Sequence, residues 1–177
     1  GSRNAPFAIS FDVHPDFETH VIHDERAAAF YALGMSQTLQ QTVALCCTSG
    51  SAVLNYFPAI SEAFYREQRL LILSADRPKR LINKGHGQTI MQHEVFGKHV
   101  KQSLSVEDSN GKMNHDSITD FFGKMQESPY RPMHLNIHLE EPLYGVSDIH
   151  IQKEKANKKE EINCLLYTSD AADDMAS

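Results

Sequence analysis

The chain has no excess of basic residues, no long apolar run and no paired-cysteine spacing. Across 177 residues, 17 Lys and Arg face 23 Asp and Glu, a formal net charge of −6. A protein that grips nucleic acid mainly by charge would carry the opposite sign, which argues against a nucleic-acid partner. No apolar stretch reaches the roughly 18 residues of a membrane span, and no basic-then-apolar leader opens the chain. Neither a membrane span nor secretion is therefore expected. The three cysteines are Cys46, Cys47 and Cys164, two of them adjacent, and no CxxC occurs. Reduced thiols in a cytoplasmic protein fit this usage better than a disulfide framework. The ten histidines are scattered without HExxH, so no metal ligands are assigned. His134 and His138 share one strand face without an obvious third ligand. Missing too are the P-loop spacing, GxGxxG and the GxSxG elbow of serine hydrolases.

What is present suits one globular domain. Hydrophobic residues make up 41% and charged residues 23%, enough to bury a core and too apolar for disorder. Residues 1–6 read as a loop entering a helix, with Pro6 in its first turn. The strand expected before that loop would lie outside the given residues. Residues 17–22 read as a strand. Residues 25–38 read as a helix whose core stripe is Ala28, Tyr31, Ala32 and Met35. Thr42–Thr48 is a continuous apolar run, as suits a strand covered on both faces. Ser49-Gly50-Ser51 then turns into a second helix with Val53, Phe57, Ile60 and Phe64 inward and Pro58 kinking it or marking a first turn. Residues 70–74, 100–104 and 133–139 read as further strands, and Ile118, Phe121, Phe122 and Met125 as a third helical stripe. Cys46 and Cys47 are expected to be buried in their strand. Strands spaced by helices imply an α/β fold with a mostly parallel sheet and helices on both faces.

In such sheets ligands bind beyond the carboxyl ends of the strands, which directs attention to four loops: 1–6, 22–26, 48–51 and 75–92. Glu25 opens a helix after a strand. It serves either as a charge favourable to the helix dipole or as a carboxylate held at the ligand edge. Thr48, Ser49, Gly50 and Ser51 are small enough to let a ligand reach backbone N–H groups, or simply pack a tight turn. Arg77, in Ala75-Asp76-Arg77-Pro78, is suited to bidentate binding of a carboxylate. Lys79, Arg80 and Lys84 add positive charge in an otherwise acidic chain. Ser2-Arg3 brings another cation to the same edge. Two arginines there suggest a small polyanionic ligand.

Six stretches in order carry a family resemblance: Gly-Ser-Arg-Asn-Ala-Pro at 1–6, Asp-Glu-Arg at 24–26 with Ala-Leu-Gly at 32–34, Thr-Ser-Gly-Ser-Ala-Val at 48–53 with Asn55 and Pro58, Ala-Asp-Arg-Pro at 75–78, Gln-Thr-Ile at 88–90, and Glu-Pro-Leu-Tyr-Gly at 141–145. Over residues 1–146 the chain resembles the pyrimidine-binding domain, flavodoxin-like in architecture, of the thiamine-diphosphate-dependent 2-succinyl-5-enolpyruvyl-6-hydroxy-3-cyclohexene-1-carboxylate synthases of menaquinone biosynthesis. The resemblance implies that Glu25 hydrogen-bonds the aminopyrimidine ring of the cofactor and that Thr48, Ser49, Gly50 and Ser51 form the turn beside it. It implies that Ser2, Arg3, Arg77 and Gln88 hold isochorismate, to which a succinyl unit from decarboxylated 2-oxoglutarate is added. Gly87 stands where that family usually has Asn, and His86 is its possible substitute. The same resemblance implies a homodimer or tetramer, and a C-terminal domain that binds diphosphate and Mg2+ or Mn2+. No Gly-Asp-Gly motif for that role occurs here, so the chain alone is expected to be inactive. An acetolactate-synthase-like lyase and a non-catalytic flavodoxin-like interaction domain are the alternatives.

The C-terminal residues read differently from the rest. Positions 150–161 hold seven charges in twelve residues, so 147–163 is expected to be a solvated linker. Residues 164–177 read as a non-native tail and are set aside from the fold. The first strand of the fold is expected to be truncated, since it would precede residue 1.

Overall fold

The computed structural model describes residues 2–107, 115–143 and the backbone of 164–167. A 3-10 turn at Ser2–Asn4 leads into α1 (Ala5–Asp12), then β1 (Glu18–Val21), α2 (Glu25–Leu39), β2 (Val43–Cys47), α3 (Ser51–Asn55), α4 (Phe57–Tyr65) and β3 (Leu70–Asp76). Two short 3-10 turns precede β4 (Gln102–Glu107), followed by α5 (His115–Met125), β5 (Met133–His138) and β6 (Cys164–Tyr167). The sheet runs β1-β6-β2-β3-β5-β4, and every pairing is parallel. All strands therefore point their carboxyl ends at one edge.

Helices cover both faces, because the central strands are apolar at consecutive positions and leave neither side to water. Val43, Leu45, Cys47, Leu70 and Ile72 pack under α2, α3 and α4. Ala44, Cys46, Leu71, Leu73, Val106 and Leu135 face the other way, against Phe7 and Phe11 of α1 and Phe121 and Met125 of α5. Burying each of the larger side chains contributes about 1.5–3 kcal/mol. The expected α/β class, parallel sheet and two-sided helical cover are all observed.

Details depart from the periodicity. The buried stripe of α2 is Ala28, Ala29, Ala32, Leu33 and Ser36, whereas Tyr31 is 53% exposed. Small residues let this helix lie close on the sheet, and that close approach rotates the bulky Tyr31 outward. The helix after Gly50 is two helices, and Pro58 sits in the first turn of α4, where its missing N–H has no partner to lose. The tail reading also differs at one place. Cys164–Tyr167 form β6, registered against Glu18–Val21 on one side and Val43–Cys46 on the other. A parallel slot between β1 and β2 presents unpaired backbone donors and acceptors on two sides, and a short apolar segment satisfies both. The proposed linker at 147–163 lies outside the described residues.

A buried histidine sets an acid limit on stability. His134 of β5 lies between Ser74 Oγ at 2.7 Å and Ser103 Oγ at 3.2 Å, with Phe96 edge-on. Burial, helped by the positive potential of His93, pushes it down to about 3. The folded chain thus refuses a proton that the unfolded chain accepts near pH 6.5. Its contribution is complete above about 6.5 and is lost as pH falls toward 3, by up to about 1.4 kcal/mol per pH unit. Denaturation of wild type and His134→Gln at pH 7 and pH 5 should show the wild type losing more ground. Equal losses would remove His134 as the cause.

Candidate functional site

The carboxyl edge of the sheet gathers the loops singled out in the sequence. Glu25 starts α2 just after the β1 loop. The preceding Asp24 caps the helix, its Oδ1 accepting from the Ala27 N–H at 2.7 Å. Asp24 therefore does the capping, and Glu25, the first residue of α2, is half-buried at the edge. It stands close to the end of β2. Burial pushes the Cys47 thiol well up, and the neighbouring Cys46 and the charge of Glu25 add to that rise. Burial also drives Cys46 up to about 12, so neither thiol is a ready nucleophile.

The β2–α3 turn has two features of a binding cradle. Ser49 Oγ is buried without a hydrogen-bond partner among the described residues. Gly50 has φ +86°, and a Cβ there would meet Gln88 backbone atoms at 3.2–3.4 Å. One expectation needs correcting: the Gly50 N–H is not free for a ligand, because Gln92 Oε1 accepts it at 3.1 Å. Gly50 supplies shape and close approach, while Ser49 supplies the unpaired polar atom.

Arg3 and Arg77 meet across the edge. Arg3, nearly buried, donates to the Leu139 carbonyl at 2.9 Å and to Glu141 at 2.6 Å, and its Nε has no partner among the described residues. Arg77 donates from Nε to the Gly87 carbonyl at 2.9 Å, and its Nη1 lies 3.7 Å from the same Glu141 oxygen. With Arg80, His86 and Glu140 they line a cleft of about 230 Å3. His86 thus does stand beside the arginines. Of the four residues expected to hold one ligand, Arg3 and Arg77 line this cleft. Ser2 is exposed on the adjoining turn, and Gln88 packs its backbone on Gly50 instead. Asp76 accepts from the Arg77 backbone N–H at 2.7 Å and from Asn136 Nδ2 at 2.9 Å, with His138 Nδ1 3.6 Å from its Oδ2.

Glu141, Gln92 and Asn136 were not singled out by sequence reasoning. Glu141 lay within a quoted motif, so its place among the arginines had a signal. Gln92 had none, since a glutamine in a polar loop looks like any other. Among the described residues no group of three His, Cys, Asp or Glu is placed to hold a metal ion.

A family model described as thiamine pyrophosphate enzyme, N-terminal TPP binding domain, matches residues 1–99. The chain is 45% identical over 148 residues to the 2-succinyl-5-enolpyruvyl-6-hydroxy-3-cyclohexene-1-carboxylate synthase of Flavobacterium psychrophilum, covering 84% of this chain and 27% of that protein. The synthases of the same name from Flavobacterium johnsoniae and Cytophaga hutchinsonii are 44% and 43% identical, covering 90% and 84% of this chain. The chain spans only 27–29% of the length of these relatives. Among solved structures, the thiamine diphosphate-dependent 4-hydroxybenzoylformate decarboxylase of Rhodococcus jostii RHA1 aligns with a TM-score of 0.63 at 15% identity, over 78% of this chain and 26% of that one. The benzoylformate decarboxylase of Polynucleobacter necessarius aligns with a TM-score of 0.56 at 16% identity, over 76% and 25%. At such identities the likeness is one of fold.

Proposed function

Because this chain belongs to the thiamine pyrophosphate enzymes through their N-terminal TPP binding domain, we propose that it is the pyrimidine-binding part of a 2-succinyl-5-enolpyruvyl-6-hydroxy-3-cyclohexene-1-carboxylate synthase. The full-length enzyme would decarboxylate 2-oxoglutarate and join the succinyl unit to isochorismate in menaquinone biosynthesis. The observation that carries this reading is Glu25, whose charge reaches Cys47 at the end of β2, on the strand that leads into a Ser49 hydroxyl buried with no hydrogen-bond partner among the described residues, with Arg3 and Arg77 lining one cleft.

When bound, thiamine diphosphate supplies a carbon nucleophile and an electron sink for decarboxylation of a 2-oxo acid. The residues of this chain would hold its pyrimidine end. Glu25 would accept a hydrogen bond from the ring and bias where the ring keeps its proton. Ser49 Oγ would gain the partner it lacks. Gly50, with Thr48 and Ser51 beside it, keeps bulk away from the turn. The guanidinium groups of Arg3 and Arg77 would neutralise the carboxylates of isochorismate, with Ser2 and Gln88 at the flanks. Diphosphate and Mg2+ or Mn2+ are assigned to a further domain of the full-length protein. A homodimeric or tetrameric assembly agrees with exposed Phe30, Tyr31, Leu54 and Met91. A cytoplasmic location is proposed for the full-length protein; no helix among the described residues is long and apolar enough to cross a membrane.

The test uses the full-length protein with thiamine diphosphate, Mg2+ and 2-oxoglutarate. Product formation should require isochorismate, and pyruvate should not replace it. Equal use of pyruvate would favour an acetolactate-synthase-like lyase. Arg77→Ala should raise the half-saturating isochorismate concentration at least about tenfold, since a charge-assisted bidentate contact contributes about 1.5–3 kcal/mol. An unchanged value would remove Arg77 from the acceptor site.

A further inference from the structure

A buried polar chain runs from the arginine edge to the β2–α3 turn. Asp76 is fully buried at the end of β3, and its Oδ2 accepts from Asn136 Nδ2 at 2.9 Å. Asn136 Oδ1 accepts from Ser74 Oγ and from Gln92 Nε2, both at 2.8 Å. Gln92 Nε2 also donates to the Ala75 carbonyl at 3.2 Å, and Gln92 Oε1 accepts the Gly50 N–H at 3.1 Å. Gln92 is 1% exposed. Its amide therefore has both hydrogens and one oxygen lone pair committed, at a position shielded from bulk solvent.

These contacts join elements that nothing in the local chain holds together. Gly50 is 42 residues from Gln92, and its φ of +86° places its N–H where no helix bond is made. The same loop lays the Gln88 backbone against Gly50. We propose that Gln92 is a positioning residue: it clamps the Gly50 turn to the β3–β5 core and so holds the Ser49 hydroxyl and the turn backbone in the geometry that receives the aminopyrimidine end of thiamine diphosphate. The inference rests on the reading of Thr48–Ser51 as the cofactor turn. Gln92 acts through Gly50 and needs no contact of its own with cofactor or substrate.

The experiment measures thiamine diphosphate binding to the full-length protein by calorimetry with Mg2+ present. Gln92→Met keeps the length and removes all three hydrogen bonds. Gln92→Glu keeps the volume and the acceptor for Gly50 but, ionised, loses the donors to Ala75 and Asn136. Both are expected to weaken thiamine diphosphate binding, the Met variant at least tenfold, while the isochorismate half-saturation changes less than twofold. Ser74→Ala, one hydrogen bond away and not touching the turn, should lower the melting temperature yet leave cofactor affinity within twofold. That contrast separates positioning from general loss of stability. Wild-type affinity in a folded Gln92→Met protein would overturn the proposal, as would equal weakening by Ser74→Ala. Should the variants fail to fold, amide exchange in the wild type decides: the Gly50 N–H must be protected, and exchange at the rate of a free amide would overturn the clamp. Glu25→Gln serves as the control for the underlying reading. If it leaves cofactor affinity and turnover unchanged, the site assignment fails; if it responds and Gln92 does not, only the clamp fails.

Discussion

Glu25→Gln in the full-length protein is expected to lower kcat/KM at least about a hundredfold while the protein stays folded. A positioned acid–base group contributes about 10²–10⁴ in rate, and glutamine keeps the size of the side chain but not its charge. Stability should move little. Asp24 continues to cap α2 through the Ala27 N–H, and a charge in a helix first turn is worth only about 0.3–1 kcal/mol. The residue is half-exposed, so no buried partner is orphaned. The alternative of a non-catalytic interaction domain makes the opposite claim, because Glu25 would then be a helix-end charge and nothing more. Steady-state kinetics beside a thermal melt separates the two. Full activity in a folded variant would end the proposed role of Glu25.

The second large effect belongs to Gly50→Ala. Its backbone, φ +86° with ψ −142°, lies in a region that only glycine adopts at low cost, and another residue there pays about 1–3 kcal/mol. Space is short as well. The new Cβ would stand 3.2 Å from the Gln88 carbonyl oxygen and 3.3 Å from its Cα, and backbone yields less readily than the tip of a side chain. Loop 85–92 would have to move, and with it the Gln92 amide that accepts the Gly50 N–H. We expect a lower melting temperature together with weaker binding of both thiamine diphosphate and isochorismate. Gly85→Ala gives the comparison, since Gly85 has φ +74° but open space around it. Its cost should be the backbone term alone, about 1–2 kcal/mol. Equal effects at the two glycines would show that the contact with Gln88 is unimportant.

Glu141 shows how a site can be half-visible. It follows β5 as part of a turn that ends a strand, and nothing local says which way its carboxylate will face. Only when Arg3 is folded onto Leu139, 136 residues away in sequence, does Glu141 become the counter-ion of one arginine and a close neighbour of another. Tyr31 shows the converse error. Its spacing from Ala28 and Ala32 is helical, and the helix is real, but the phase of the buried face was set by the small residues around it.

The sequence alone determined the element types and the edge at which to look. Runs such as Thr42–Thr48 and Leu70–Ser74 are too apolar to be anything but covered strands, and the offsets in α2 and α5 are those of helices. Short polar loops between them, holding Glu25, Ser49-Gly50 and Arg77, then lie at strand carboxyl ends by the geometry of parallel sheets. Tertiary structure decided the strand order, the place of β6, the pairing of Arg3 with Arg77 and the burial of Gln92. Those outcomes depend on contacts between residues tens to more than a hundred positions apart. Periodicity reports only which face of a segment avoids water, and carries no record of what that face will meet.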